Sequence, residues 1–286
     1  MIEGKYSIGE ICSICNVTSS RLRYYDEMGL IKPAYVDKET GYRYYDSDAT
    51  VLISIIKYYQ ACGFKLKDIR SIFDSGDLSE LRQMFEERIR ELDEAIVSLT
   101  MQRDSISAWN NLIKEGQQMA NMPDKTVYRK SFSKELMYVN SPYVLENIHY
   151  ESLVADIELF NHIPGEGYNT VGPFYVYFPD GNYVNMEGVK VYINPHPLED
   201  SLACKEATGG VDALTTYVQG APAEFGKAYE RIREYASGNQ ITLRGDSFHR
   251  SVIDRWSTAR EEDYITEIIM PVEGKLKNAE AETFGV

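Results

Sequence analysis

The first part of the chain alternates short amphipathic segments with turn-forming residues. Apolar residues at positions 8, 11, 12 and 15, with Ser7 as N-cap, predict a short helix that ends near Asn16. Thr18 can cap a second helix over residues 19–26, in which Leu22 faces inward. Two short helices joined by a tight turn form a helix-turn-helix, a layout that places its second helix in the major groove of DNA.

Residues 35–45 predict a β-hairpin wing, because two β-prone runs flank the turn-rich segment 37–41. Arg43 lies on the returning strand between tyrosines, and a planar guanidinium there is suited to hold a phosphate. Taken singly, each of these side chains is equally compatible with an ordinary solvated surface. The residues that we expect to contact DNA are Thr18, Ser20, Arg21, Arg23, Tyr24, Tyr25, Tyr42, Arg43 and Lys65.

Two further helices and a much longer one follow the wing. Apolar periodicity predicts a helix over 47–62, which Gly63 breaks before another begins in 64–73. From position 78 to about 115, apolar residues recur every three or four positions with charged residues between them. Such a helix is roughly 55 Å long, too long for its own small domain to cover. Since a solitary helix would leave this seam exposed, we expect an antiparallel coiled coil between the subunits of a homodimer, and a pseudo-palindromic DNA target.

Beyond residue 124 the pattern changes to aromatic-rich strands. The candidate strands are 126–132, 170–178, 188–193, 210–217, 246–253 and 264–271, and the candidate helices are 144–160 and 223–237. A strand, helix, strand order occurs twice, which predicts an α+β domain with an antiparallel sheet. Of the 22 tyrosines, 13 lie beyond residue 125. Such rings suit flat organic ligands, although most of them are expected to be ordinary sheet residues.

The chain is therefore expected to have an α+β architecture in four consecutive parts. These are a winged helix-turn-helix at 1–75, a coiled-coil dimerisation helix at 76–118, a linker at 119–124 and a ligand-binding domain at 125–286. A length of 286 residues agrees with about two domains of roughly 100 to 200 residues each.

The net charge of −14 at first argues against a protein that binds nucleic acid. Residues 1–75, however, hold ten basic and ten acidic side chains, so the whole excess of acid belongs to residues 76–286. A neutral N-terminal module with its basic groups on one face can still contact phosphates.

Cysteine content and hydropathy favour a cytoplasmic protein with no membrane partner and no cofactor. The four cysteines, at positions 12, 15, 62 and 204, are too few and too scattered for a disulfide framework. Cys12 and Cys15 form a CxxC pair, but no second pair or nearby histidine completes a zinc site, so we expect them to pack as small apolar residues. No apolar run approaches the roughly 18 residues of a membrane span, and residues 1–5 lack a signal-peptide pattern.

Five ordered blocks in the first 75 residues carry a family resemblance. The blocks are Tyr-Ser-Ile-Gly-Glu at 6–10, Leu-Arg-Tyr-Tyr-Asp at 22–26, Gly-Leu-Ile-Lys-Pro at 29–33, Gly-Tyr-Arg-Tyr-Tyr at 41–45 and Gly-Phe-Lys-Leu-Lys-Asp-Ile at 63–69. Together they closely resemble the DNA-binding domain of MerR-family transcription regulators. The resemblance implies a homodimer that works with RNA polymerase. It also implies activation by distortion of double-stranded promoter DNA whose −35 and −10 elements are spaced too far apart.

The C-terminal half is similar to the GyrI-like effector-binding domain of multidrug-sensing MerR regulators. The segments that carry this similarity are 172–174, the passage from Tyr217 into the following helix, and 264–271. The similarity implies a lipophilic aromatic effector, whose charge the sequence leaves open. By position, the residues expected near that effector are Tyr175, Tyr177, Phe225, His249, Trp256, Tyr264 and Glu267.

One position departs from the pattern of the multidrug sensors. Such sensors commonly carry a buried glutamate after an aromatic residue on the penultimate strand, and the matching run here is Phe248-His249-Arg250. A histidine provides no fixed negative charge near neutral pH. Two options stay open. Either Glu267, Asp254 or Glu187 replaces the missing acid, or the pocket takes neutral or anionic aromatic molecules by stacking and by hydrogen bonding to His249.

Two other functions compete with this hypothesis. A metal sensor of the same family needs thiolates close to the long helix, but residues 63–148 contain neither Cys nor His. An enzyme is the competitor from another class, yet the sequence has no phosphate-binding glycine loop, no GxSxG, no HExxH and no metal spacing among its four histidines. The one catalytic alternative is a hydrolytic side activity that uses Glu267 and a bound water. We expect a regulator, with no catalytic or metal-binding residues.

Overall fold

The computed structural model describes residues 4–120, 126–140, 170–195 and 205–282. The chain divides into two compact units, Met1–Glu94 and Ala95–Val286, and the boundary falls inside one long helix. The predicted helix at 144–160 and most of the predicted linker lie outside the described residues.

The first unit begins with the predicted helix-turn-helix, formed by α1 (Ile8–Cys15) and α2 (Ser19–Glu27). The Ser7 hydroxyl accepts a backbone N–H of the first turn of α1 and so caps that helix. Asn16 then takes a left-handed conformation with φ of 48°, which ends α1 and turns the chain. Thr18 caps α2 in the same way as Ser7 caps α1. The two helices are thus set by polar residues at their ends, as predicted.

A small sheet and two more helices complete the first unit. Its strands, in the spatial order β1–β3–β2, are β1 (Tyr6–Ser7), β2 (Tyr35–Val36) and β3 (Arg43–Tyr45). β2 and β3 pair antiparallel and form the predicted wing. Helices α3 (Ser47–Ala61) and α4 (Leu66–Ser75) follow.

One apolar core joins these helices and the wing. Its buried members are Ile11, Cys15, Leu22, Tyr25, Leu30, Ile31, Tyr45, Ala49, Ile53, Ile56 and Ile69. Cys12 packs against this core, and burial raises the pKa of both thiols of the CxxC pair. Within the described ranges, no cluster of three or more Cys, His, Asp or Glu side chains is placed to hold a metal ion.

Helix α5 (Leu78–Met119) continues about one turn beyond its predicted end. Its apolar seam has different environments along its length. Phe85 packs against the rings of Tyr59 and Phe64 in the first unit, whereas Leu112 is buried in the second unit. Between these two contacts, Met101 and Ala108 are buried. Six other apolar side chains are exposed, and they are Ile89, Leu92, Ile96, Val97, Leu99 and Ile106. No helix in the described part of the chain combines the length and the apolar character needed to cross a membrane.

In its described residues, the second unit combines the C-terminal part of α5 with a curled sheet and a further α-helix. Its elements are β4 (Tyr128–Asn140), β5 (Thr170–Phe178), β6 (Lys190–Pro195), β7 (Lys205–Gln219), α6 (Phe225–Gly238), β8 (Ser247–Ile253), β9 (Ile265–Pro271) and β10 (Glu280–Glu282). The strand order is β10–β4–β6–β5–β8–β9–β7, and β4 also pairs with β7. The long strand β4 therefore pairs with both β6 and β7, which closes the strands β4, β6, β5, β8, β9 and β7 into a ring.

The sheet is mixed, which corrects the prediction of a purely antiparallel one. β10 runs parallel to β4, while the other pairings in the described residues are antiparallel. Helix α6 covers one face of the sheet with Phe225, Tyr229 and Ile232. The opposite, inner face carries a second apolar cluster that includes Tyr175 and Phe248. The predicted α+β class is confirmed, and the two faces of this sheet determine which candidate residues meet.

Candidate functional site

Helix α2 presents one polar face to the solvent. Thr18, Ser20, Arg21, Arg23 and Tyr24 are all exposed, and the hydroxyl oxygens of Thr18 and Ser20 lie 3.0 Å apart. Arginine and hydroxyl side chains on a short exposed helix can reach both phosphates and base edges in the major groove. This face has the chemistry that was predicted for a recognition helix.

Tyr25 does not belong to this face, which corrects its assignment as a DNA contact. Its side chain is fully buried, and its hydroxyl donates to Oε1 of Gln60 at 2.9 Å. Residues three apart on a helix share one side, and Leu22 occupies the same buried side. Tyr25 is a core residue in this structure.

The wing has a rigid tip. The Asp37 carboxylate accepts the backbone N–H groups of Thr40 and Glu39, each at 2.9 Å, and these bonds hold the pKa of Asp37 below its ordinary value. Gly41 follows with φ of +70°, a conformation that favours glycine. The exposed Tyr42 is thereby held in a fixed position at the start of the returning strand.

Arg43 connects the wing to the recognition helix. Its Nε donates to Oδ2 of Asp26 on α2 at 3.1 Å, and its side chain remains 44% exposed. A pair this exposed adds little to stability, so its main effect is to orient the wing against α2. Arg43 can therefore position the wing while part of its side chain faces the solvent.

Lys65 lies at the start of α4 and is exposed. The first turn of a helix offers unpaired backbone N–H groups, and a lysine at that point adds positive charge. The position is suited to a phosphate contact of the kind predicted for it.

In the second unit, one row of side chains crosses the inner face of the sheet. Tyr175 stands opposite Arg250, Arg250 opposite Glu267, and Glu267 opposite Tyr217 in the strand register. Residues directly opposite each other on antiparallel strands project from the same face. Glu267 is fully buried and Arg250 is 8% exposed. The row therefore places an ion pair in an apolar interior.

A chain of ionic contacts extends from this row. Glu267 Oε1 lies 2.7 Å from Lys130 Nζ, and its Oε2 lies 2.9 Å from Arg250 Nη1. Two N–H groups of Arg250 donate to the two carboxylate oxygens of Glu115, both at 2.7 Å. The Tyr217 hydroxyl donates to Glu115 at 2.7 Å and accepts from Lys130 Nζ at 3.1 Å. Glu115 comes from α5, whereas the other four residues come from the sheet.

The contacts of this network favour the charged forms of Glu115 and Arg250 and the neutral form of Tyr217. Burial favours the neutral form of Glu115, but the hydrogen bonds and charge of Arg250 outweigh it and hold the pKa of Glu115 below its ordinary value. Burial likewise opposes the charge of Arg250, yet its tyrosine and carboxylate neighbours raise its pKa well above the ordinary value. Burial and the carboxylates of Glu267 and Glu115 raise the pKa of Tyr217, which stays a neutral donor. Two cations thus face two carboxylates.

His249 lies on the other face of the sheet. The centroid of its ring lies 4.7 Å from the ring centroid of Phe178 and 4.8 Å from that of Phe225. Its Nε2 is 2.9 Å from the Tyr229 hydroxyl oxygen. The side chain is fully buried, and burial lowers the pKa of His249 to about 3, so the ring is neutral at pH 7. The sheet separates His249 and Phe225 from Glu267, so these predicted neighbours do not share a pocket.

The remaining predicted effector residues lie at three different places. Tyr175 is buried on the inner face, and Tyr177 lies beside Phe248 with ring centroids 4.8 Å apart. Trp256 is 53% exposed and stacks on Trp109 of α5 at 6.3 Å. Tyr264 is half-buried directly before β9.

Of the three acids proposed to replace the missing glutamate, Glu267 alone belongs to the inner row. Glu187 is exposed. Asp254 lies just beyond β8, where it accepts the backbone N–H of Trp256, and burial raises the pKa of Asp254. On β8, the residue that belongs to the inner row is Arg250, so a cation stands where the family resemblance pointed to His249.

A solvent-accessible cleft of ≈ 160 Å³ adjoins this network. Its walls include Met119 at the end of α5, Tyr128 and Tyr217, whose rings meet edge to face at 5.8 Å, and Ile265. Arg231 of α6 also lines the cleft and donates to Thr216 Oγ1 at 3.0 Å. Tyr217 is common to the cleft and to the charged network, and so connects the two.

Sequence reasoning missed Lys130, Arg250, Glu115 and Tyr217. The period of two along β8 was a usable signal, because Phe248 and Arg250 must share a face while His249 points the other way. For Glu115 no local signal exists. It lies within a helix whose other charged residues are solvated, and its burial depends on contact with the sheet.

Comparison with family models gives two matches, which together extend over residues 6–109. A model described as "MerR HTH family regulatory protein" matches residues 6–76, and one described as "MerR, DNA binding" matches residues 51–109. The matched residues include both helices of the helix-turn-helix, the wing and the first three quarters of α5.

Curated relatives match both the N-terminal part and the full length. The mercuric resistance operon regulatory protein of Bacillus cereus is 33% identical over 92 residues, 32% of this chain and 69% of that protein. The multidrug-efflux transporter 1 regulator of Bacillus subtilis (strain 168) is 24% identical over 283 residues, 94% of this chain and 98% of that protein. Among solved structures, the EcmrR–DNA complex in EcmrR-RPo is 20% identical, with 94% of this chain and 100% of that chain covered and a TM-score of 0.42.

Proposed function

The chain belongs to the MerR family of helix-turn-helix regulatory proteins, and on that premise we propose that it activates transcription in response to a lipophilic aromatic effector. In this proposal a homodimer binds a pseudo-palindromic promoter and distorts the DNA between the −35 and −10 elements, so that RNA polymerase can use it. The effector binds the second unit. Regulation rather than catalysis is the role that the named relatives share.

The observation that carries DNA binding is the exposed polar face of α2 beside the wing. Thr18, Ser20, Arg21 and Arg23 are exposed on one short helix, and Arg43 links that helix to the wing. The formal charge of the first 75 residues is zero, so the segment that carries α2 and the wing has no net negative charge to repel DNA.

The observation that supports a dimer is the exposed stretch of the α5 seam. Ile89 is 56% exposed, Ile96 60% and Ile106 69%, whereas Phe85 and Leu112 of the same seam are packed. An apolar stripe on a charged helix is normally covered by a partner helix. A second copy of α5 is the partner that a two-fold operator requires.

The observation that supports an effector site is the inner face of the curled sheet. It combines the aromatic side chains Tyr175, Tyr177 and Phe248 with a buried ionic network, next to a cleft. Apolar walls with a few placed polar groups are typical of small-molecule sites.

DNA selection with the purified full-length protein tests the DNA-binding part. Duplexes selected from a random pool should converge on a pseudo-palindrome, and replacing both Arg21 and Arg23 by alanine should abolish that selection. The same change at Arg90, an exposed arginine of α5, is the matched control and should leave selection intact. Selection without any sequence preference would contradict the proposal.

Transcription in vitro tests activation. With purified RNA polymerase, the protein should stimulate a promoter that carries the selected site in an overlong spacer. Shortening that spacer to the usual length should remove the requirement for the protein, because the distortion is then no longer needed. Stimulation that is independent of spacer length would contradict the distortion mechanism.

A further inference from the structure

Apart from the contribution of α5, the charged network on the inner face of the sheet has more cations than carboxylates. Lys130 and Arg250 are the two cations, and Glu267 is the carboxylate. Each oxygen of Glu267 lies close to one cation: Oε1 is 2.7 Å from Lys130 Nζ in an ionic contact without hydrogen-bond geometry, and Oε2 accepts a hydrogen bond from Arg250 Nη1 at 2.9 Å. A cationic ligand would have to separate these contacts to reach the carboxylate.

The second carboxylate of the network is supplied by α5. Glu115 accepts two hydrogen bonds from Arg250 and one from Tyr217. An arginine and a hydroxyl in this geometry can bind the carboxylate of a ligand in the same way. Lys130 lies behind Tyr217 and donates to its oxygen, which strengthens the hydroxyl as a donor toward an anion. The sheet thus forms a complete carboxylate site that α5 fills.

The close approach of α5 makes this contact possible. A Cβ at Gly116 would lie 2.4 Å from Ile253 Cγ1, so the helix backbone touches the sheet at the residue next to Glu115. The Glu115 side chain retains 23% exposure, whereas the Glu267 side chain has none.

The adjoining cleft has the same electrostatic character. Its described lining contains no acidic side chain, and it includes Arg231. A volume of ≈ 160 Å³ is close to the roughly 150 Å³ cavity that holds a benzene ring. The edge-to-face pair of Tyr128 and Tyr217 provides an aromatic wall.

We propose that the effector is an aromatic organic anion, whose carboxylate takes the place of Glu115 on Arg250 and Tyr217 while its ring lies in the cleft. Glu115 is then an internal competitor, and its displacement frees the end of α5. This inference rests on the proposed effector-dependent regulation and names the ligand class for it.

Isothermal titration calorimetry with the full-length protein tests the ligand class. The three ligands share a naphthalene ring and differ in charge: 1-naphthoate, 1-naphthamide and 1-naphthyltrimethylammonium. The carboxylate should bind at least about tenfold more tightly than the amide, because it gains two charge-assisted bonds, and the cation should bind most weakly. Tighter binding of the cation than of the carboxylate overturns the inference.

Glu115→Gln tests the competition. The variant keeps the shape of the side chain but removes its charge from Arg250, so affinity for 1-naphthoate should rise by about tenfold or more. Glu94→Gln removes the same charge from an exposed position of α5 and should leave the affinity unchanged. Unchanged or weaker binding by Glu115→Gln overturns the competitor role. Hydrogen exchange provides a readout that needs no variant, since 1-naphthoate should accelerate exchange of the amides of 109–119.

DNA binding by the same preparations separates two kinds of failure. If the protein binds its selected duplex and responds only to the cation or the amide, the inference is wrong and the proposed function stands. If it binds the duplex but none of the three compounds, the inference falls together with the aromatic-effector part of the proposed function.

Discussion

Tyr24 and Tyr25 are adjacent in the sequence but have opposite environments. Tyr24 is 49% exposed on the polar face of α2, whereas Tyr25 is fully buried and bonded to Gln60. The helical period settles the difference, since Leu22 and Tyr25 share the side that faces the core. At this scale the sequence predicts the exposed residues of α2 well. Tyr25 was assigned to the DNA contacts by its residue type, although its position in the helical period places it on the buried side of α2.

Arg43→Ala should weaken binding to the selected duplex and lower the slope of log K against log salt by about one, because one phosphate contact is lost. Fluorescence anisotropy over a salt series measures both quantities. Asp26→Asn separates the two roles of Arg43, since it removes the link at 3.1 Å but keeps the cation. Arg82→Ala, which breaks an exposed pair on α5, is the control. An unchanged slope for Arg43→Ala would show that the residue only positions the wing.

His249 should make the second unit sensitive to acid. Its pKa is about 3 in the folded state and near 6.5 when unfolded, so the unfolded chain takes up the proton first. The free energy of unfolding should therefore fall as pH drops below about 6.5, by up to about 1.4 kcal/mol per pH unit. His249→Gln should have a shallower dependence in urea denaturation between pH 7 and pH 5. Parallel curves for the two proteins would contradict the burial of a neutral ring.

At the scale of elements, α5 shows how one residue sets the distance between a helix and a sheet. Gly116→Ala should destabilise the second unit by about 1–2 kcal/mol, because overpacking against Ile253 exceeds the gain in helix propensity. Both tryptophans of the chain, Trp109 and Trp256, belong to this unit, so their fluorescence in urea reports its stability. Gly238→Ala in α6 is the control, since a Cβ there meets no atom within 4 Å, and it should not destabilise.

The strands differ in how far the sequence predicts them. β5, β8 and β9 are bounded by turn residues, and their predicted ranges agree with the structure to within one residue or less. β4 extends eight residues beyond its predicted end at Phe132, because it pairs with β7 along most of its length and with β6 at its end. β10 was not predicted, since its three residues are too few for a periodic pattern to be recognised, and they form a strand only by pairing with β4. Long-range pairing, which periodicity does not encode, accounts for both differences.

At the scale of the whole molecule, the exposed part of the α5 seam determines the oligomeric state that we propose. Ile96→Glu should convert the dimer to a monomer, because a charge at a paired apolar position is desolvated without a partner. Sedimentation equilibrium measures the change. Ser107→Glu adds the same charge at an exposed polar position of α5 and should remain dimeric. If the unmodified protein sediments as a monomer, the seam does not pair in solution.

The closure of the sheet by β4 has a consequence for the time course of folding. The first unit is complete once the first part of α5, up to Glu94, has been made, and its contacts are local, which favours fast folding. β4, in contrast, can complete its pairings only after β7, some 75 residues further on, and β10 (Glu280–Glu282) have been synthesised. During synthesis, the DNA-binding unit should therefore become competent long before the sensor ring can close. Nascent chains stalled just after α5 should bind the selected duplex without any response to effector, which pull-down of ribosome-bound chains can measure.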